Sequence, residues 1–239
     1  MDWLLASIDP GRIHDVGSAV AWHGRAMTLA WAVLAPLAVL VARYFKVLPG
    51  QDWPRELDNL VWWRSHWIGQ GLVVLLSLVG LALIYGRSAP LGWHGTLGYT
   101  LLGLMAVQVA MGLFRGSKGG PTAPDGVGSL RGDHYDMTSW RVMFEWAHKS
   151  VGYGMLLVAV AVVVLGLWEA NAPRWMWLVI VLWWMLLAVS AAYLQRQGRA
   201  VDTYQAIWGP DPIHPGNTRK PIGWGIRRLG PEEGKVPGE

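Results

Sequence analysis

Residues 66–86 read HWIGQGLVVLLSLVGLALIYG, and after His66 the run holds 20 residues without an ionised side chain. At about 1.5 Å of rise per residue, such a run spans a hydrocarbon core about 30 Å thick. Residues 26–42, 95–114, 150–168 and 175–194 are four further apolar runs with almost no charge. The whole chain agrees with them: 53% of its 239 residues are hydrophobic, only 15% are charged, and its mean hydropathy is positive. The reading is an all-α integral membrane protein, a bundle of five transmembrane helices.

The helices are predicted over Ser18–Tyr44, Asn59–Tyr85, Gly92–Phe114, Ser139–Trp168 and Arg174–Arg196. Pro36 falls in the second half of the first and predicts a kink there. The chain thus divides into a short segment 1–17, a transmembrane domain 18–196 and a Pro/Gly-rich tail 197–239, which is expected to be extended. Residues 115–138 form a long connection rich in glycine, proline and charge, a length usual for a functional loop. Tryptophans such as Trp22, Trp67, Trp93, Trp146, Trp168 and Trp175 sit near the ends of the runs and mark interfacial belts, whereas Trp31, Trp183 and Trp184 lie deeper. The first 15 residues lack a cleavable signal sequence, so the first span is expected to insert uncleaved.

Orientation follows from the cations. Arg12, Arg25, Arg87 and Arg174 fall on one face, and the remaining 16 of the 20 lysines and arginines on the other. The positive-inside rule places the N-terminus outside and the C-terminal tail in the cytoplasm. The excess of positive charge is thereby explained by topology, and no nucleic-acid partner is needed. The expected location is multi-pass, in a bacterial inner membrane. The absence of cysteine excludes disulfides, iron–sulfur clusters, thiolate metal sites and covalently attached c-type haem.

His23, His66, His94 and His148 each lie within the first turn or two of one of four consecutive spans. If the spans alternate in direction, His23 and His94 share one face of the bilayer and His66 and His148 the other. Ionisable groups inside a membrane are costly and usually functional. A helix N-terminus favours neutral imidazole, the ligating form. Two imidazoles per site suit a haem that carries electrons, which needs two strong axial ligands and no open position. A second reading gives each histidine a half-solvated place at the headgroups; four matching positions make that the weaker account.

Small residues accompany the histidines: Gly24 follows His23, Gly95 and Gly98 follow His94, Gly152 lies one turn past His148, and Gly69 and Gly71 flank His66. They admit a flat macrocycle, or close helix–helix contact. Met27, Met105, Met111 and Met155 are read as packing, and Gln70 and Gln108 as interhelical hydrogen-bonding groups. Haem propionates need cationic partners. Arg25 is the candidate on the outer side, and Arg64, Arg141 and Lys149 are the candidates on the cytoplasmic side, where Arg43 and Lys46 could also receive an electron donor. Each could instead be a snorkelling anchor.

The stretches HGRAMTLAWAVLAPLAVLVARYFK from His23, WRSHWIGQ around His66, HGTLGY from His94 and GDHYDMTSWRVMFEWAHKSVGY through His148 together resemble the core of cytochrome b-561 proteins, in the form fused elsewhere to an N-terminal DOMON domain. The resemblance covers residues from about 17 to 195. It implies a five-helix membrane cytochrome with a four-helix core and two non-covalent haem b groups. In it, His23 pairs with His94 and His66 with His148, the pairing that the alternation of spans gives independently. It also implies electron transfer across a membrane from a reductant such as ascorbate to an acceptor such as a ferric chelate. Fewer than 20 residues precede the first span, so a DOMON domain is not expected here, and the long tail is not a family requirement.

The expected function is therefore a two-haem electron conduit. A donor, whether quinol, ascorbate or a redox protein, delivers an electron near His66 and His148, and an outer acceptor takes it from the His23 and His94 centre. The second class is an accessory subunit of a respiratory or photosynthetic complex docked through its tail, as part of a larger assembly or a homodimer. A third is pigment binding, because neutral imidazole also ligates the magnesium of chlorophylls.

Overall fold

A computed structural model describes residues 2–86, 91–115 and 139–230. Five helices are long and apolar enough to cross a membrane: α1 Ser18–Tyr44, α2 Val61–Ile84, α3 Trp93–Leu113, α4 Ser139–Glu169 and α5 Arg174–Arg196. A short α6, Thr203–Trp208, follows in the tail. Among the described residues there is no strand, only two isolated bridges, Ser7 with Pro173 and Val201 with Arg227. The chain is an all-α, multi-pass membrane protein. Its spans present apolar side chains outward, as lipid requires: Leu157 is 75% exposed and Val189 66%.

The ends of the helices have local causes. α2 starts two residues later than predicted because the Asn59 side chain accepts from the Val61 amide at 2.8 Å, an Asx cap outside the helix. The same amide group reaches back to the Lys46 and Phe45 carbonyls and to Gln51. α2 ends where Gly86 takes a φ of +77°, a left-handed conformation that favours glycine. The connection expected over 115–138 lies outside the described residues except for Arg115, as do 87–90 and the last nine residues of the tail.

Pro36 is accommodated by a change of helical register within α1. Leu29–Leu34 forms a π-helical turn, in which the Ala35 amide reaches back five residues to the Ala30 carbonyl. Proline has no amide hydrogen and would leave the Ala32 carbonyl without its donor. Trp183 Nε1 donates to that oxygen at 2.8 Å. The residue before Ala32, Trp31, donates its Nε1–H to Ser77 Oγ at 3.1 Å. Two of the deep tryptophans thus place indole donors where the apolar interior offers no water.

The contacts divide the chain into two compact units, each assembled from separate stretches of sequence. The first comprises Met1–Ala38, Ile68–Val107 and Tyr153–Ser190. Ala32, Val163 and Ile180 form its buried cluster, with Leu167 and Trp184 against them. The segment before α1 is fastened to the α4–α5 turn by Asn171. Its amide nitrogen donates to the Asp9 and Arg12 carbonyls at 3.0 and 2.6 Å, and its oxygen accepts from the Asp9 amide at 3.0 Å. Asn171 itself has a φ of +46°, which asparagine tolerates better than most residues.

The second unit comprises Val39–Trp67, Gln108–Gly152 and Ala191–Glu239. Here the tail, expected to be extended, carries α6 and packs against the α1–α2 loop and α4. Asp202 caps α6 by accepting from the Tyr204 amide at 3.0 Å and pairs with Arg228 at 3.0 Å. Gln205 makes both of its hydrogen bonds with the backbone of Leu229. Trp53, Val47, Val201, Ala206 and Leu229 close a small core between the α1–α2 loop and the tail. A second cluster joins Tyr204, Trp208 and Ile222, with Val142 of α4 packed on it. Tyr204 stacks on Trp208 with ring centres 5.4 Å apart, and Trp208 on His214 at 4.3 Å. Burial lowers the pKa of His214, and the neutral ring accepts from the Gly216 amide at 3.0 Å.

Lys46 is enclosed in this core at 4% exposure, with Nζ donating to the Arg43 and Val201 carbonyls. Burial first, and the charge of Lys149 next, bring its pKa down from 10.5 to about 7. Between those two pH values the unfolded chain holds a proton that the folded chain has released, so stability rises with pH in that window. Thermal unfolding in detergent across it should show a slope that Lys46→Met reduces; equal slopes in the two proteins would discount the burial of this amine. In the first unit, Trp183→Phe should cost about 1–3 kcal/mol by orphaning the Ala32 carbonyl, read as an earlier thermal transition. An unchanged transition would mean that the carbonyl finds another donor.

Candidate functional site

Each unit contains one pair of histidines. In the first, His23 of α1 and His94 of α3 face each other with ring centroids 6.2 Å apart and planes at 87°. His23 Nδ1 lies 2.8 Å from the Gly80 carbonyl oxygen of α2, and His94 Nδ1 lies 3.0 Å from that of Val162 of α4. A carbonyl can only accept, so Nδ1 carries the proton in both rings and Nε2 keeps the lone pair. Four helices therefore fix one pair: two supply imidazoles and two supply the carbonyls that orient them.

A glycine makes the approach of His94 possible. A Cβ at Gly166 would lie 2.9 Å from His94 Cε1 and 3.3 Å from its Nδ1, so the ring rests directly on the α4 backbone. A Cβ at Gly80 would meet Met27 at 3.0 Å. Met27 is thus packing, as expected. Of the glycines singled out in the sequence, Gly69 makes a close helix contact, its absent Cβ lying 2.9 Å from Ala38 Cβ. Gly24, Gly71 and Gly98 have no neighbouring atom within 4 Å of that position. Gly98 lies one turn from His94 on the same face of α3, where the open space leaves room for a flat group.

In the second unit, His66 of α2 and His148 of α4 stand with centroids 6.2 Å apart and planes at 78°. Phe144, one turn before His148, stacks on its ring at 5.2 Å. His148 Nδ1 is buried and has no hydrogen-bond partner. Gln108 of α3 donates to the His148 backbone carbonyl at 2.9 Å, and its Oε1 is likewise buried and unpartnered. Gly152 admits this side chain, its Cβ position lying 3.3 Å from Gln108 Nε2. Gln70, in the first unit, makes a long 3.5 Å contact with the Ala35 carbonyl.

The cations are less uniform. Arg25 is exposed, with its guanidinium 4.8 Å from the centre of the Trp22 ring, and Arg64 is exposed on the first turn of α2. Arg141 and Lys149 are tied together by Glu145, which lies one turn from each along α4. Lys149 Nζ is 2.7 Å from Glu145 Oε2, and Arg141 Nη2 is 3.8 Å from Oε1. Tyr204 Oη accepts from Arg141 Nε at 2.7 Å and donates to Glu145 Oε1 at 2.8 Å. Burial and the neighbouring carboxylate push the Tyr204 phenol up, which keeps the proton this bond needs. Arg43 donates to Gln195 and to the Trp224 carbonyl, and Lys149 also donates to the Ile222 carbonyl. Together with the buried Lys46, these basic residues hold the tail in place.

Glu145, Tyr204, Gly80, Val162 and Gly166 were not singled out by sequence reasoning. The spacing of Arg141, Glu145 and Lys149 in steps of four was a signal for the first of these. The others depend on which helices meet.

The geometry constrains what the pairs can hold. Imidazole nitrogen binds a metal at about 2.0–2.1 Å, and the ring centre lies about 1.1 Å further back. Two rings ligating one metal from opposite sides therefore stand about 6 Å apart, as both pairs do. Among the described residues no three His, Cys, Asp or Glu side chains converge. Two imidazoles are too few for a bare ion that needs four protein donors, and they are the number required by a metal with four equatorial nitrogens of its own.

No protein-family model and no solved structure matches the chain. Among curated proteins, ferric-chelate reductase 1 of Mus musculus and of Homo sapiens are each 28% identical to it over 151 residues, covering 61% of this chain and 22% of the relative. A cytochrome b561, DM13 and DOMON domain-containing protein of Arabidopsis thaliana is 29% identical over 191 residues, 77% of this chain and 19% of the relative. The chain spans about a fifth of the length of these relatives. They are animal and plant proteins and lend the bacterial inner membrane no support. Haem b is the cofactor that this similarity implies. Over most of its length, the chain is similar to cytochrome b-561-type transmembrane cores.

Proposed function

We propose that the chain is a transmembrane electron carrier holding two haem b groups, one on His23 and His94 and one on His66 and His148. A haem ligated by two imidazoles supplies a one-electron couple with no position open to substrate. The observation that carries the reading is the meeting of two histidine pairs at 6.2 Å in two separate units. The Gly80 and Val162 carbonyls hold the first pair in the tautomer that leaves Nε2 free to bind, an outer contact that also raises ligand basicity. The apolar spans exclude water from both pairs, and Gln108 anchors the backbone at His148.

Electrons pass between a donor on one face of the membrane and an acceptor on the other. Quinol, ascorbate or a redox protein fits the donor, and ferric chelates fit the acceptor by analogy with the named relatives. In this proposal the N-terminus lies outside and the tail in the cytoplasm, where Arg64, exposed on α2, offers a cation to an approaching anion. The purified protein should give a b-type reduced-minus-oxidised spectrum with about two haems per chain. His94→Ala should lose one haem and keep the His66 and His148 centre. Loss of both haems, or of neither, would refute the pairing, and bound pigment without iron would refute the function.

A further inference from the structure

Within the second unit, residues 222–225 of the tail meet the ends of three spans through their backbone. Arg43, in the last turn of α1, donates to the Trp224 carbonyl at 2.7 Å. Gln195, in the last turn of α5, donates to that of Gly225 at 2.8 Å, and Lys149 of α4 donates to that of Ile222 at 2.8 Å. Two glycines permit so close an approach. Gly223 has a φ of +120° and Gly225 one of +62°, which side chains disfavour, and a Cβ on Gly225 would lie 3.1 Å from Gln195 Nε2 and 3.3 Å from Arg43 Nη2. The side chain between these glycines stays 59% exposed, and the Trp224 ring meets that of Trp146 of α4 edge-on, with centroids 6.1 Å apart.

The three donors share a depth. Arg43 is the first residue beyond the apolar run 26–42, Gln195 the first beyond 175–194, and Lys149 the last before 150–168. Each marks the place where its span leaves the hydrocarbon. α4 shows the same boundary by its length: 31 residues rise about 46 Å, and its apolar run alone is about as long as the hydrocarbon is thick. Its first turns, Trp146 among them, therefore stand in the headgroup layer. Trp224 is bound at that level, where an indole finds both an apolar surface for its ring and acceptors for its N–H.

We propose that residues 222–225 form a lipid-binding loop, in which Trp224 enters the headgroup layer beside Trp146 and anchors the tail to the bilayer. The partner is the membrane surface on the side where the tail lies. Because the same loop occupies Arg43 and Lys149, lipid contact at Trp224 steadies the tail over those two cations. The inference depends on the five spans and on the loop geometry; it needs neither haem nor a direction of electron flow.

The chain has no cysteine, so a nitroxide on full-length Trp224→Cys reports this position alone. In vesicles of phosphatidylcholine and phosphatidylglycerol it should collide with a water-soluble nickel chelate several-fold less often than a label on Arg55→Cys, whose side chain is 85% exposed in the α1–α2 loop. It should collide with dissolved oxygen more often than that label, approaching the behaviour of Leu157→Cys in the apolar run of α4. Chelate collisions equal to those at Arg55→Cys would place the loop in water and overturn the proposal. Shielding from both chelate and oxygen would mean that protein covers this face, and would overturn it equally. Wild-type protein supplies a measurement free of any substitution: phosphatidylcholine with a photoreactive headgroup should cross-link to the peptide containing Trp224. Cross-links around Trp146 with none at Trp224 would count against the loop. Trp224→Ser should speed amide hydrogen exchange over 222–226 several-fold in the same vesicles, and Trp224→Tyr should restore much of the protection; exchange unchanged by Trp224→Ser would remove the anchoring role of the indole.

Discussion

An imidazole enclosed by apolar helices must satisfy two nitrogens without water, and the arrangement of the first unit follows from that requirement. His23 and His94 each settle Nδ1 on a backbone carbonyl, which leaves Nε2 of each ring with its lone pair, and the ring centroids lie 6.2 Å apart. The acceptors are carbonyls of α2 and α4, and on α4 the His94 ring reaches its carbonyl because Gly166 has no side chain to intervene. Gly80 provides its own carbonyl, and Gly166 clears the way to that of Val162. The same constraint governs α1, where Pro36 frees the Ala32 carbonyl and an indole from α5 supplies the donor. In each case a buried polar group costs free energy unless a partner is built for it.

The second unit meets the constraint through charge. Glu145 is 7% exposed and could not remain ionised there alone; Arg141, Lys149 and the Tyr204 hydroxyl surround it. The tail is ordered by that cluster as much as by its own apolar residues, since Tyr204 is both a buried aromatic and the hydrogen-bonding link to α4. The cations expected to greet a donor are thus mostly engaged by the tail and by Glu145. Arg64 remains exposed. Pairs of equal ring spacing consequently sit in unlike surroundings.

Much of this was legible in the sequence because it is encoded locally. Runs of apolar residues set the five spans, and the bounds of α1 and α5 follow the composition alone. The meeting of His23 with His94 and of His66 with His148 was legible by counting: if successive spans alternate, the first and third histidines fall on one face and the second and fourth on the other, and the rings of each pair lie 6.2 Å apart. Asn59 and Gly86 shifted the ends of α2 by only a residue or two, since caps act within one turn. The π-helical turn in α1 was not legible as such. Proline announces a disturbance, but whether the helix kinks or widens depends on which neighbour can supply a donor to the freed carbonyl.

The tail shows the opposite case. Its prolines and glycines carry no period, and nothing in residues 197–230 by itself predicts α6 or the stack of Tyr204, Trp208 and His214. Their order comes from the α1–α2 loop and from α4, which are distant in sequence. The contacts at the histidines are similar: Gly80 lies 57 residues from His23, and Val162 lies 68 from His94. Sequence by itself determined that the chain spans a membrane five times and carries four imidazoles in two pairs, because hydropathy and parity are properties of the chain. Only the tertiary structure decided which ring nitrogens are held, which cations are enclosed and how the two pairs differ, because those depend on which backbone carbonyls and side chains packing brings within hydrogen-bonding distance.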